Sequence, residues 1–164
     1  MILTIWRHGE AGSASTDRQR ELTDVGFDDI GFGCHQFHAA LDARGIVAPD
    51  LILNSPWVRT VQTAQIIASA FTHAPVRELQ PLRPGGTVQA VEAALEEIAP
   101  APDHVLLVSH QPLVSQLIGQ FLGATTGVPS LSPGSLATLE LTTPARACGT
   151  LRFWAAPPEY QAGT

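Results

Sequence analysis

Short, almost wholly apolar runs alternate along this chain with longer stretches whose apolar residues recur every three or four positions. Runs of the first kind suit strands buried on both faces, and those of the second suit helices with one apolar stripe. The first run, residues 2–6, stops at Arg7-His8-Gly9-Glu10. Residues 9–20 are rich in Gly, Ser and charge and read as a loop. Thr23 is a good N-cap. Phe27, Ile30, Cys34, Phe37 and Leu41 then share one helical face, and Gly45 suits the helix end. Residues 50–54 read as a second buried strand. Ser55-Pro56 follows, with Ser as N-cap and Pro at the first helical position. Val58, Val61, Ala64, Ala68 and Phe71 supply the stripe of this second helix.

Residues 76–79 read as a short strand, residues 82–86 as a loop, and residues 88–99 as a helix closed by Pro100 and Pro102. The continuous apolar run 105–108 belongs in the middle of a sheet. Pro112 opens another helix, with Val114, Leu117, Ile118 and Phe121 facing inward. Residues 136–142 and 150–155 are two last strands around a turn at 144–149. The order β-α-β-α-β-α-β-α-β-β predicts an α/β fold: a three-layer sandwich whose central, mostly parallel sheet is flanked by helices. The 164 residues suit one domain, 1–164.

Composition narrows the partners. The net charge is −6 and no block of Lys or Arg occurs, which argues against nucleic acid and against an anionic membrane surface. No apolar run approaches the roughly 20 residues that span a bilayer. The apolar start has no basic region before it and is too short for a signal peptide, so it reads as the first strand. Two lone cysteines, Cys34 and Cys148, fit a reducing cytoplasm better than a disulfide scaffold. His35 and His38 sit at helical spacing without an evident third ligand, so neither a metal nor a cofactor is expected. His73 and His104 fall at element ends and read as solvated. Trp6 and Trp57 suit either a pocket rim or packing. The tail from Pro157 reads as a loosely ordered terminus.

Three strand ends carry the chemistry. The first strand ends at Arg7-His8, the second at Ser55-Pro56 with Arg59 a turn later, and the run 105–108 at Ser109-His110. In a parallel sheet all three lie on one edge, where α/β folds bind ligands. Two arginines, two histidines and helix N-termini near Pro56 and Pro112 suit a tetrahedral dianion. Two guanidiniums nearby favour a neutral imidazole by like-charge repulsion, and a neutral imidazole can attack phosphorus. A second histidine is better used as a hydrogen-bond donor to a phosphoryl oxygen. No Cys-x5-Arg loop, Walker loop or Asp-rich metal cluster is present.

Arg7-His8-Gly9, Ser55-Pro56 followed by Arg59, and Ser109-His110 together resemble the histidine phosphatase (phosphoglycerate-mutase-like) superfamily. Arg20-x-Leu22-Thr23-x-x-Gly26, Gln62-Thr63-Ala64 and Leu82-x-Pro84-x-Gly86 are similar to its SixA-type phosphohistidine phosphatase branch. The likeness runs from residue 2 to about residue 122. It implies that His8 is the phosphorylated nucleophile, that Arg7, Arg59 and His110 form the phosphate pocket with Gly9 beside them, and that no metal takes part. Arg20 reads as an anchor for the loop after His8. Many relatives supply a carboxylic acid after the third strand. Residues 80–84 here contain none, which leaves Glu10 and Glu78 as candidate general acids.

A phosphorylated imidazole leaves more readily than an alkoxide, so a site short of an acid favours phosphohistidine. The span between Arg59 and His110 is also short for a helical lid, and an open pocket admits a side chain of a protein. The expected activity is therefore a metal-independent phosphatase whose partner is a phosphorylated signalling or phosphotransfer protein. A small phosphomonoester is the alternative substrate. A non-catalytic phosphoprotein-binding module is the alternative of a different class.

Overall fold

A computed structural model describes residues 1–164. Six strands form one sheet in the order β3-β2-β4-β1-β5-β6: β1 Ile2–Arg7, β2 Leu51–Asn54, β3 Val76–Glu78, β4 His104–Ser109, β5 Leu136–Leu141 and β6 Gly149–Ala155. The first four named in that order run parallel, while β5 is antiparallel to β1 and β6 to β5. Four helices complete the chain: α1 Asp24–Arg44, α2 Val58–Ala70, α3 Val88–Glu96 and α4 Leu113–Leu122. The α/β expectation holds.

The sheet separates two cores. On β4, Leu106 and Val108 join Trp6, Ile30, Phe37, Ile67 and Phe71 beneath α1 and α2. Val105 and Leu107 turn the other way, to Leu3, Ile5, Val91, Val114 and Leu117 beneath α3 and α4. This is the period-two alternation of a strand covered on both faces.

Local signals explain several element ends. The Thr23 side chain accepts a hydrogen bond from Gly26 N at 3.1 Å and caps α1. Gly45 ends it in the left-handed region at φ 61°. Other expectations need correction. Helix α2 starts at Val58 with Trp57 as N-cap, so Ser55 does not cap it. Its inward face carries Arg59, Thr60, Thr63, Ala64 and Ile67, while Val58, Val61 and Ala68 are only half-buried. Phe27 is exposed, because Gly26 occupies the inward position against the Glu10 backbone. His104 is fully buried: its Nδ1–H donates to Val47 O at 2.7 Å and its Nε2 pairs with Thr4 Oγ1 at 2.9 Å. The C-terminal tail is packed, with Tyr160 buried and its hydroxyl donating to Gly134 O at 2.9 Å. Trp6 lies in the core and not at a rim. No helix is long and apolar enough to cross a membrane.

Candidate active site

The strand ends meet as a parallel sheet requires. Arg7 stands opposite Ser109 in the β1–β4 register, and Asn54 opposite Val108 in the β2–β4 register. Backbone hydrogen bonds continue past the strands, from His8 N to Ser109 O and from Ser55 N to Val108 O, each at 3.1 Å. Arg7, His8, Arg59 and His110 thereby reach one cleft of about 330 Å³, whose walls also include Glu10, Asp17, Arg20 and Gln111.

His8 is buried, and its ring is oriented from both sides. Nδ1–H donates to Gly9 O at 2.7 Å. Nε2 accepts from Arg59 Nε at 3.2 Å, so it carries a lone pair. Burial pushes its pKa down to about 4; the Gly9 hydrogen bond opposes this, and the charges of Arg59, Arg7 and Arg20 reinforce it. Near pH 7 His8 is a neutral imidazole with the lone pair of Nε2 facing the guanidinium. The Gly9 amide is itself engaged, donating to Thr63 Oγ1 at 3.2 Å. Both backbone groups of Gly9 therefore serve the loop and the ring.

His110 stands beside His8, with ring centroids 5.1 Å apart. Its Nε2 pairs with Ser55 Oγ at 2.8 Å, and its buried Nδ1 has no protein partner. Burial, followed by the charges of His8 and Arg59, lowers its pKa to about 3. Arg7 donates through Nη1 to Leu131 O, and its buried Nε is likewise unpartnered. Buried polar atoms normally find partners, and these two belong to cleft-lining residues. A tetrahedral oxyanion supplies the acceptors a guanidinium N–H needs. Trp57 packs under the pair, its ring 5.2 Å from the Arg59 guanidinium carbon and 5.7 Å from the His110 ring.

The two candidate acids part company. Glu10 lines the cleft, and its Oε1 accepts from Thr23 Oγ1 at 2.9 Å. Glu78 lies at the exposed end of β3 and faces a separate surface groove with Asn54, Val61 and Gln65. Arg20 anchors the loop by donating to Gly12 O at 2.7 Å and to Ala11 O at 3.3 Å, and it also lines the cleft. Asp17 was not singled out by the sequence. It bridges Arg20 Nη1 at 3.0 Å and Arg59 Nη2 at 3.4 Å. A lone carboxylate in a polar loop carries no pattern that marks it, and only the fold brings it to Arg59. His38 pairs with Asp42 at 3.2 Å on an exposed face. No three His, Cys, Asp or Glu side chains gather as metal ligands.

Fold and cleft together define an α/β phosphatase. The chain belongs to the histidine phosphatase superfamily (branch 1), whose family model matches residues 3–84, and within it to the SixA-like branch. It is 30% identical over 144 residues to a phosphohistidine phosphatase SixA homolog of Haemophilus influenzae, covering 85% of this chain and 87% of that one. The structure of the protein histidine phosphatase SixA complexed with tungstate superposes with a TM-score of 0.76 at 28% identity, covering 96% of this chain and 97% of the other. A putative phosphohistidine phosphatase SixA from Agrobacterium tumefaciens has the same fold, with a TM-score of 0.76 at 22% identity over 95% of this chain and 97% of that one. The chain is thus a hydrolase, and the binding-module alternative is set aside.

Proposed function

We propose that His8 Nε2 takes the phosphoryl group from phosphohistidine on a protein and then passes it to water. The lone pair of Nε2 forms the N–P bond as the bond from phosphorus to the leaving nitrogen breaks, and that imidazole departs with a proton drawn from solvent or Glu10. Water then attacks phosphorus and gives up a proton to solvent or back to Glu10, the N–P bond breaks, Nε2 recovers its lone pair, and inorganic phosphate leaves. Arg7, Arg59 and His110 hold the phosphoryl oxygens, where preorganised donors act most strongly on developing charge. The observation that carries this reading is the His8 ring, neutral and fixed, with Nδ1–H on Gly9 O and the Nε2 lone pair accepting from Arg59 Nε in the cleft.

Names of relatives in the branch support phosphohistidine as the substrate class. Glu10 is the one candidate acid at the cleft, which suits a leaving group with modest need of a proton. A small phosphomonoester is the competing substrate. The test is turnover of a chromogenic aryl phosphate in EDTA by wild type and His8→Ala, followed by a phosphohistidine protein against sugar phosphates. Abolished turnover in His8→Ala and a preference for the phosphoprotein are expected. Equal turnover by His8→Ala sinks the nucleophile, and preference for sugar phosphates sinks the substrate class.

A further inference from the structure

In the resting cleft every nitrogen of the Arg59 guanidinium is already engaged. Nε donates to His8 Nε2 at 3.2 Å, Nη1 to the Asp17 carbonyl at 2.7 Å, and Nη2 to Asp17 Oδ2 at 3.4 Å. Each terminal nitrogen keeps a second N–H, and Nε–H is released when Nε2 attacks, but a phosphoryl oxygen that takes the Nη2–H now on Asp17 displaces the carboxylate. The carboxylate contact is the longest of the three, and the Asp17 side chain is about half exposed. Asp17 also has somewhere to stay. Its Oδ1 is held by Arg20 at 3.0 Å, and Arg20 is pinned to the carbonyls of Gly12 and Ala11.

We infer that Asp17 is a positioning residue whose carboxylate stands in for a phosphoryl oxygen on Arg59, yields that place to the substrate, and reclaims it as inorganic phosphate leaves. The inference rests on His8 and Arg59 forming the phosphoryl site. Arg59 is otherwise a free cation beside the nucleophile, and a strong phosphate trap. With Asp17 in place the guanidinium is already aligned toward His8, and product phosphate meets a competitor tethered within the cleft. The hydrogen bond from Arg20, with help from Arg59, holds the Asp17 carboxyl below the usual carboxylate range, so the competitor is charged across the neutral range. Specificity follows as well, because a weakly charged oxyanion cannot match the carboxylate at that N–H.

The sign of one measurement decides this. Inhibition by inorganic phosphate and by orthovanadate, with aryl phosphate as substrate, is compared in wild type, Asp17→Asn and Asp17→Glu, and phosphate binding is read directly by titration calorimetry. A partly exposed ion pair and the factor of ten per 1.4 kcal/mol give an inhibition constant for phosphate about two- to five-fold lower in Asp17→Asn. The KM falls in step, and Asp17→Glu returns both toward wild type. A purely structural tether gives the opposite sign, since a loosened Arg59 raises both constants. Unchanged or raised constants in Asp17→Asn overturn the inference, and so does an Asp17→Asn chain that no longer folds while Asp17→Glu, folded, binds phosphate more tightly than wild type. If wild type turns over aryl phosphate and binds phosphate while Asp17→Asn leaves the constants unmoved, the Asp17 role alone fails. If wild type binds no phosphate, the phosphoryl site itself fails with it.

Discussion

Thr63 is the place where one hydroxyl decides both stability and the aim of His8. It is fully buried in α2; its Oγ1 donates to Arg59 O at 2.7 Å and accepts from Gly9 N at 3.2 Å. Thr63→Val keeps the shape and removes the acceptor. The Arg59 carbonyl retains its ordinary helical partner, but the Gly9 N–H is left buried and unpaired. Such an orphan costs about 1–3 kcal/mol. For a chain of this size that lowers Tm by about 2–12 °C. Activity falls too, because the Gly9 carbonyl that holds His8 Nδ1–H loses its anchor. The assay is calorimetric unfolding at pH 7 alongside kcat/KM on an aryl phosphate, with Thr63→Ser as the control that keeps the hydroxyl. If Thr63→Val matches Thr63→Ser in both, the hydrogen bond to Gly9 has no such role.

The acid limb of kcat/KM, corrected for substrate ionisation, is expected at about pH 4 and not near the ordinary histidine value, because His8 loses its lone pair only there; a limb centred near 6.5 contradicts the neutral, buried ring. Stability has its own pH dependence. His8, His104 and His110 all have depressed pKa values in the fold, so below about pH 6.5 the unfolded chain binds protons that the folded chain refuses. Stability is full above that pH and declines as the pH falls toward about 4 and about 3, the folded values of His8 and His110; denaturant midpoints that hold constant from pH 7 to 4.5 exclude this. Two glycines of α1 are expected to respond oppositely to alanine. At Gly26 a Cβ meets Glu10 O at 2.3 Å, so Gly26→Ala displaces the loop after His8 and costs about 1–3 kcal/mol together with activity. At Gly31 a Cβ meets nothing within 4 Å, and Gly31→Ala stabilises by up to about 1 kcal/mol on helix propensity; equal midpoints for the two variants refute the contrast.

The central strands were legible because burial on both faces leaves only one composition open to them. Val105-Leu106-Leu107-Val108 reads as β4 without help from the rest of the chain, and Arg7-His8 and Ser109-His110 then fall at strand ends. Legibility failed where a position answers to something other than apolar burial. Phe27 fits the α1 stripe by spacing, yet the inward place goes to Gly26 because only hydrogen fits against Glu10. His104 looks like an end-of-strand surface residue, but Thr4 and Val47 satisfy both ring nitrogens inside the core. The tail reads as loose because no local pattern marks its anchors: Tyr160 bonds to Gly134, distant in sequence, and Gly163 pairs with Trp154 through the backbone. Asp17 reaches Arg59 across 42 positions, a distance no local pattern encodes.

The misread stripe of α2 has the same origin as the chemistry. Its inward face should be apolar, and instead it holds Arg59, Thr60 and Thr63. Each polar group there is engaged with the backbone or the cleft. Thr60 Oγ1 donates to Ser55 O at 2.8 Å, Thr63 holds Gly9, and Arg59 meets His8. The two neighbouring strand ends follow the same rule: Ser55 supports His110, and Ser109 Oγ donates to Leu82 O at 2.7 Å, tying down the loop that carries Pro84 to the cleft wall. Burying these groups without partners costs more than burying apolar ones, so they persist only as a fully connected set. That set fixes the His8 ring and tautomer before any ligand arrives, and leaves Arg7 Nε and His110 Nδ1 as the buried polar atoms still unpartnered at the cleft. Polar residues on a face that folding alone fills with Val or Leu therefore locate the site, and their connections account for its lack of slack.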